Sequence, residues 1–216
     1  MSRRAFLCLS FVAVAFVVLL LGAMKAPKTH FAQPNPAGAV VKITMLKGHG
    51  SGVHLGDGFV LTAAHVVGDM PEVGIKTDTL EVQKAEVLWV NKGYDVALLK
   101  VLHPERLKAT PLVCETQMQK GALVYSEGNP LGLEGISTWG RIAGKAQAAG
   151  PWRNVLITDM ATIPGMSGGG VYDMGGRLIG ITVGAMTWGT SPMSRGLSGI
   201  GYIVPGESLC LLMGRM

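Results

Sequence analysis

At 216 residues, with 48% hydrophobic and 15% charged side chains, the chain is long enough to bury a substantial core and too apolar to stay disordered. Its 19 basic residues outnumber the 14 acidic ones, but Arg3, Arg4, Lys25 and Lys28 flank an apolar N-terminal segment, and without those four the balance is 15 to 14. A phosphate-binding groove therefore has little support, and no nucleic-acid partner is expected.

In chain order, the first element is the uncharged run Ala5 to Met24. As a helix it would span about 30 Å, the thickness of a bilayer core. It reads as a retained signal anchor, with a cleaved signal peptide as the alternative and a buried soluble helix as the minor one. Ser2-Arg3-Arg4-Ala5-Phe6-Leu7 also looks like a twin-arginine export signal, although two arginines are the ordinary basic flank of any export segment. By analogy with export signals, the short N-terminal tail lies in the cytoplasm and the rest outside it. The composition then changes to Pro27, Thr29, Pro34, Asn35 and Pro36, an extended linker over 25–37 that separates the membrane from a folded domain.

From there, short runs rich in Val, Ile, Leu and Thr alternate with glycine turns. The first set is Val40 to Leu46, Gly52 to Leu55, Phe59 to Thr62, Leu80 to Val90 and Val96 to Val101. A connection around Pro111 to Lys120 leads to a second set: Leu123 to Ser126, Ile136 to Gly144, Val155 to Asp159, Val171 to Tyr172, Arg177 to Val183 and Ile200 to Val204. Many short strands and no long amphipathic helix predict two all-β units, sandwich or barrel, closed by a short helix over Glu207 to Met213. No internal repeat is visible.

Three segments carry chemistry. Gly165-Met166-Ser167-Gly168-Gly169 offers a serine on a glycine-rich turn, Thr62-Ala63-Ala64-His65 an imidazole, and Asp95 a carboxylate before the apolar run Val96 to Val101. Acyl transfer by a serine needs a base for its proton, a carboxylate to orient that base and backbone donors for the oxyanion. Taken singly, such a histidine caps or packs and such an aspartate opens a strand. Three in the right order say more. His49, His54, His103 and Asp57 carry no matching motif, and Asp57 fits a Gly-Asp-Gly turn. With three cysteines and no short Cys-x-x-Cys pair, neither a zinc site nor a disulfide scaffold is indicated.

These segments resemble those of the chymotrypsin-fold serine peptidases, most of all the HtrA-type and glutamyl-endopeptidase-like bacterial branch. Gly58 to Val67 matches the strand ending in the general base, Asp95 to Val101 the acid segment, and Gly199 to Pro205 the last strand. The resemblance covers Val40 to Leu212. It implies two antiparallel six-stranded β-barrels, about 38–112 and 120–205, within a peptidase domain over 38–216. It also implies a triad of His65, Asp95 and Ser167, and an oxyanion hole at Gly165, Met166 and Ser167 whose donors are the N–H groups of Gly165 and Ser167. Substrate would meet Ala161 and Thr162 at the base of the S1 pocket, and Thr182, Val183 and Gly184 on the wall that pairs with its backbone. No cofactor or metal is required. Polypeptides, as exposed segments of unfolded or envelope proteins, are the expected substrates.

Departures from the family pattern refine this. Met166 stands where trypsin-like zymogens place an activating aspartate, so that switch is not expected, and Gly170 replaces a common proline. No aspartate selects Lys or Arg, and a small or medium apolar P1 residue is expected. The sequence ends at Met216, too soon for the PDZ domain that commonly follows in HtrA-type proteins. Cys114 and Cys210 fall in elements that lie close together in this fold, where they form either a disulfide or, more commonly, two buried thiols. An inactive peptide-binding pseudoprotease and an esterase on the same fold are the competing functions.

Overall fold

The computed structural model describes residues 39–46, 48–76, 81–115, 118–189 and 196–214. The expected anchor and linker, 1–24 and 25–37, lie outside them. Among the described residues no helix is long and apolar enough to cross a membrane.

The first sheet contains β1 (Val40–Met45), β2 (Gly48–Gly56), β3 (Phe59–Thr62), β4 (Glu72–Lys76), β5 (Val82–Asn91) and β6 (Val96–Val101). Its spatial order is β1-β2-β3-β6-β5-β4, and pairing of β4 with β1 closes it into a barrel. The second contains β7 (Leu123–Gly128), β8 (Ile136–Ala149), β9 (Trp152–Thr158), β10 (Gly170–Asp173), β11 (Leu178–Trp188) and β12 (Gly196–Pro205). It closes in the same order, β7-β8-β9-β12-β11-β10. Two α-helices, α1 (Ala64–Val67) and α2 (Gly206–Leu212), and two single 3-10 turns, Pro104–Arg106 and Pro130–Gly132, complete the described chain. The expectation of two six-stranded antiparallel units therefore holds, and the two share one topology without a repeat in sequence.

Strand alternation builds each interior. In β1, Val41 and Ile43 are buried while Val40 and Lys42 are not, and in β4 Val73 and Ile75 do the same between Glu72, Gly74 and Lys76. Sequence reading passes over β4 because this five-residue run, with a charge at each end, has only two apolar residues, Val73 and Ile75. The β8–β9 hairpin runs longer than its apolar signal. β8 continues to Ala149 with its last residues mostly exposed, and the two-residue turn Gly150–Pro151 returns the chain to Trp152. Gly150 takes the positive φ, +55°, that a type II′ hairpin puts at its first central residue.

The connection between barrels is stitched down. Val113 N–H donates to Leu178 O at 2.9 Å, and Cys114 is disulfide-bonded to Cys210 of α2 with Cα atoms 5.6 Å apart. The two cysteines therefore pair and do not remain as buried thiols.

Candidate active site

The run from Val60 to Val67 accounts for the presentation of His65. Val60, Leu61, Thr62, Ala63 and Val67 are fully buried and Ala64 and Val66 nearly so, which anchors the single turn of α1 at both ends. His65 alone in this run is exposed. Its partner, Asp95, ends the tight turn after β5, where Asn91 Oδ1 accepts the N–H groups of Gly93 and Tyr94, both at 3.1 Å. Asp95 sits in the left-handed region at φ +58°, a conformation that aspartate tolerates better than most residues.

His65 and Asp95 are brought together by two bonds. His65 N–H donates to Asp95 Oδ1 at 2.9 Å, and Nδ1 lies 2.7 Å from Oδ2. A carboxylate only accepts, so Nδ1 carries the proton, and in the neutral ring Nε2 keeps its lone pair for a proton from elsewhere. Trp152 Nε1–H donates to the same Oδ2 at 3.1 Å. Burial pushes the Asp95 pKa up, but the hydrogen bonds from His65 and Trp152 and the charge of His65 outweigh it, and the carboxyl is held below its ordinary value.

Ser167 lies in the loop between β9 and β10. Met166 N–H bonds Ile163 O at 3.0 Å across a four-residue turn, with Pro164 second and Gly165, at φ +99°, third. These are the residue preferences and the positive φ of a type II turn. The loop carbonyls are then taken in order. Leu131 N–H bonds Pro164 O at 3.0 Å, Ser51 Oγ–H bonds Gly165 O at 2.7 Å, Gly169 N–H bonds Met166 O at 2.9 Å and Ser51 N–H bonds Ser167 O at 2.8 Å. Among the described residues the N–H groups of Gly165 and Ser167 make no hydrogen bond.

Gly168 joins the loop to the histidine segment. A Cβ there would lie 2.1 Å from Ser51 O and 2.9 Å from Ala63 N, so only glycine, here at φ +83°, lets the chain pass this close to the residues before His65. Among the described residues no hydrogen bond joins Ser167 Oγ to His65 Nε2; such contacts often tighten only in the Michaelis complex.

The remaining predicted residues divide. Ala161 and Thr162 line a pocket of about 210 Å³ with Ile163, Ala185, Leu197, Gly199 and Ile200. Val183 is the extra residue of a β-bulge in β11 and lines a cleft of about 520 Å³ beside His65, Asp95 and Trp152. Gly184 sits under the Trp152 ring, where a Cβ would be 2.8 Å from the indole. Thr182 does not face the cleft. It is buried, its N–H bonds Gly169 O at 2.9 Å and its carbonyl accepts Gly168 N–H at 2.7 Å, so its peptide groups are spent on the serine loop. The Met166 N–H closes the turn onto Ile163 O, and its side chain is fully buried. Among the described residues no cluster of three or more His, Cys, Asp or Glu could hold a metal ion.

Sequence reading missed Trp152, Ser51 and Asn129. Ser51 and Asn129 are buried, and Ser51 Oγ accepts the Asn129 N–H at 2.8 Å while it holds Gly165 O. His54, set aside from the sequence, is structural: Nε2 accepts Gly58 N–H at 3.1 Å and Nδ1 faces Lys108 O at 2.9 Å. No local signal marks Ser51 or Trp152, since each acts on residues far along the chain.

Residues 50–181 match the model of the trypsin-like peptidase domain. The chain is 31% identical over 171 residues to Protease Do-like 1, chloroplastic, of Arabidopsis thaliana, covering 76% of this chain and 38% of that protein. It is 31% identical to a probable periplasmic serine endoprotease, DegP-like, of Brucella suis, covering 70% of this chain and 29% of that one. It is 30% identical to Serine protease HTRA2, mitochondrial, of Bos taurus, covering 74% and 34%. The chain thus spans well under half the length of these relatives.

Proposed function

The chain belongs to the trypsin-like peptidase family, and on that premise we propose that it is a serine endopeptidase of the HtrA/DegP type, acting through an acyl-enzyme on Ser167. The observation that carries this is the His65–Asp95 pair, held at 2.7 Å through Nδ1, beside a serine loop in which, among the described residues, the N–H groups of Gly165 and Ser167 make no hydrogen bond. Ser167 Oγ attacks the scissile carbonyl as His65 Nε2 takes its proton, and Asp95 stabilises the imidazolium so formed. The oxyanion is received by the N–H groups of Gly165 and Ser167. Imidazolium then gives the proton to the leaving amine. Water, deprotonated by the same nitrogen, releases the acyl group and restores the serine.

Among the described residues, the lining of the pocket at Ala161 and Thr162 carries no charge, which supports a small or medium apolar P1 side chain. We place the peptidase domain at 38–216, outside the cytoplasm and tethered by the apolar run Ala5 to Met24. The Cys114–Cys210 disulfide supports an oxidising compartment, and a relative is named periplasmic. A linker over 25–37 would hold the site within a few tens of Å of the bilayer, within reach of exposed segments of unfolded or envelope polypeptides.

A fluorophosphonate probe tests the reading. It should label the wild type and not Ser167→Ala, and a folded wild type that stays unlabelled would show a binding module in place of an enzyme. Ester turnover without cleavage of any peptide in a library would reassign it as an esterase.

A further inference from the structure

We propose that Trp152 is a positioning residue for the Asp95–His65 pair, its indole N–H holding the carboxylate oxygen that also receives His65 Nδ1–H; this rests on the serine-peptidase reading above. Trp152 lies 57 residues after Asp95 and belongs to the other barrel. The β8–β9 hairpin delivers it. Its two-residue turn projects over the Asn91–Asp95 turn, and Arg153 N–H bonds Gly93 O at 2.9 Å, so the hairpin is docked by backbone next to the indole. The ring itself is held on two sides: its centroid is 4.9 Å from that of Tyr202, and Gly184 leaves room where any Cβ would strike it.

The consequence for Asp95 is geometric. Oδ1 is taken by His65 N–H and Oδ2 by both Nδ1 and the indole, so the carboxylate has one orientation in which all three donors are satisfied. Without the indole, rotation of the carboxylate would be resisted from the His65 side alone, and the imidazole that depends on Oδ2 would share its freedom. An indole suits this place because it donates and cannot accept, so it never competes for the proton on Nδ1. Other charges facing the pair are few. Asp69 and Lys92, on the cleft wall, pair with each other at 3.1 Å, and the Arg153 guanidinium lies against Gly93, two residues before Asp95.

Trp152 also lines the cleft, so activity must be split into its parts. With the full chain and a fluorogenic peptide, Trp152→Phe keeps an aromatic ring over Gly184 but loses the N–H. Its kcat should fall about five- to thirtyfold with KM within about twofold of the parent. An unchanged kcat with only KM altered would reduce Trp152 to a wall of the cleft and overturn the proposal. A second readout needs no turnover. The indole ¹⁵N–¹H resonance of wild-type Trp152, assigned by its loss in Trp152→Phe, should shift in step with the His65 ring on titration, and not in Asp95→Asn. An indole signal that stays still while His65 titrates would also overturn it. A wild type that neither cleaves peptide nor takes the fluorophosphonate probe defeats the peptidase reading, and the indole titration then decides the positioning role alone.

Discussion

At the scale of the residue, Asp95 is the most constrained group in the site. It is buried, it occupies the left-handed region, and three donors converge on it. Asparagine tolerates that backbone equally well, so Asp95→Asn should fold, but an amide nitrogen turned toward Nδ1 would favour the wrong tautomer of His65. We expect kcat to drop by about three to four orders of magnitude with far-UV circular dichroism unchanged, measured on a fluorogenic peptide. The pH dependence of stability follows from the same contacts. Because the folded state holds the Asp95 carboxyl below its ordinary value, its contribution is present above the unfolded-state pKa and is lost as pH falls through the folded one. From the ordinary aspartate range downward, wild type should therefore lose more unfolding free energy than Asp95→Asn in parallel denaturant titrations. Met166, by contrast, contributes bulk. It is fully buried, with Sδ 4.0 Å from Thr138 Oγ1, and so anchors the serine loop by packing at the position where zymogens use an ion pair.

At the scale of the element, the serine loop is shaped by its neighbours as much as by its own glycines. β2 supplies Ser51, which holds Gly165 O with its hydroxyl and Ser167 O with its backbone. The turn after β7 supplies Leu131 N–H for Pro164 O. That turn is itself tied to the first barrel, since Glu134 pairs with Lys76 at 2.7 Å and with Lys42 at 3.2 Å, and the Glu134 carboxyl is held low first by the hydrogen bond from Lys76. As an exposed pair it adds little stability, and the buried hydroxyl matters more. Ser51→Ala would leave the Asn129 N–H and Gly165 O without this partner, at a cost of about 1–3 kcal/mol. Its kcat should fall about ten- to a hundredfold with little change in KM, because the loop would no longer present its donors in one orientation. An unchanged kcat in Ser51→Ala would show that the Pro164–Gly165 turn holds itself. Part of this was legible, since glycines on both sides of the serine mark a turn. Ser51 was not, since a serine among glycines looks the same whether it faces solvent or clamps a loop from another strand.

At the scale of the whole molecule, the Cys114–Cys210 bond closes the chain between the inter-barrel connection and the last helix, 96 residues apart. In the chain-entropy description, a loop near this length is worth about 4.7 kcal/mol through the unfolded state. Cys210→Ser, or reduction of the wild type, should lower the unfolding free energy by about 3–5 kcal/mol in a urea titration. A loss under 1 kcal/mol would mean that the backbone bonds at Val113 already hold the connection. Much of the architecture could be read without coordinates. Alternating apolar residues between glycine turns specify strands, and the ordered segments around His65, Asp95 and Ser167 specify one family, because these are local patterns that neighbouring residues carry together. The tertiary structure alone decided that the cysteines pair, that the Thr182 peptide groups and the Met166 N–H bond within the serine loop, and that Trp152 bonds Asp95 while Ser51 bonds Gly165. Each of these depends on hydrogen bonds or close packing between residues dozens of positions apart, and such contacts exist only once the two barrels have closed.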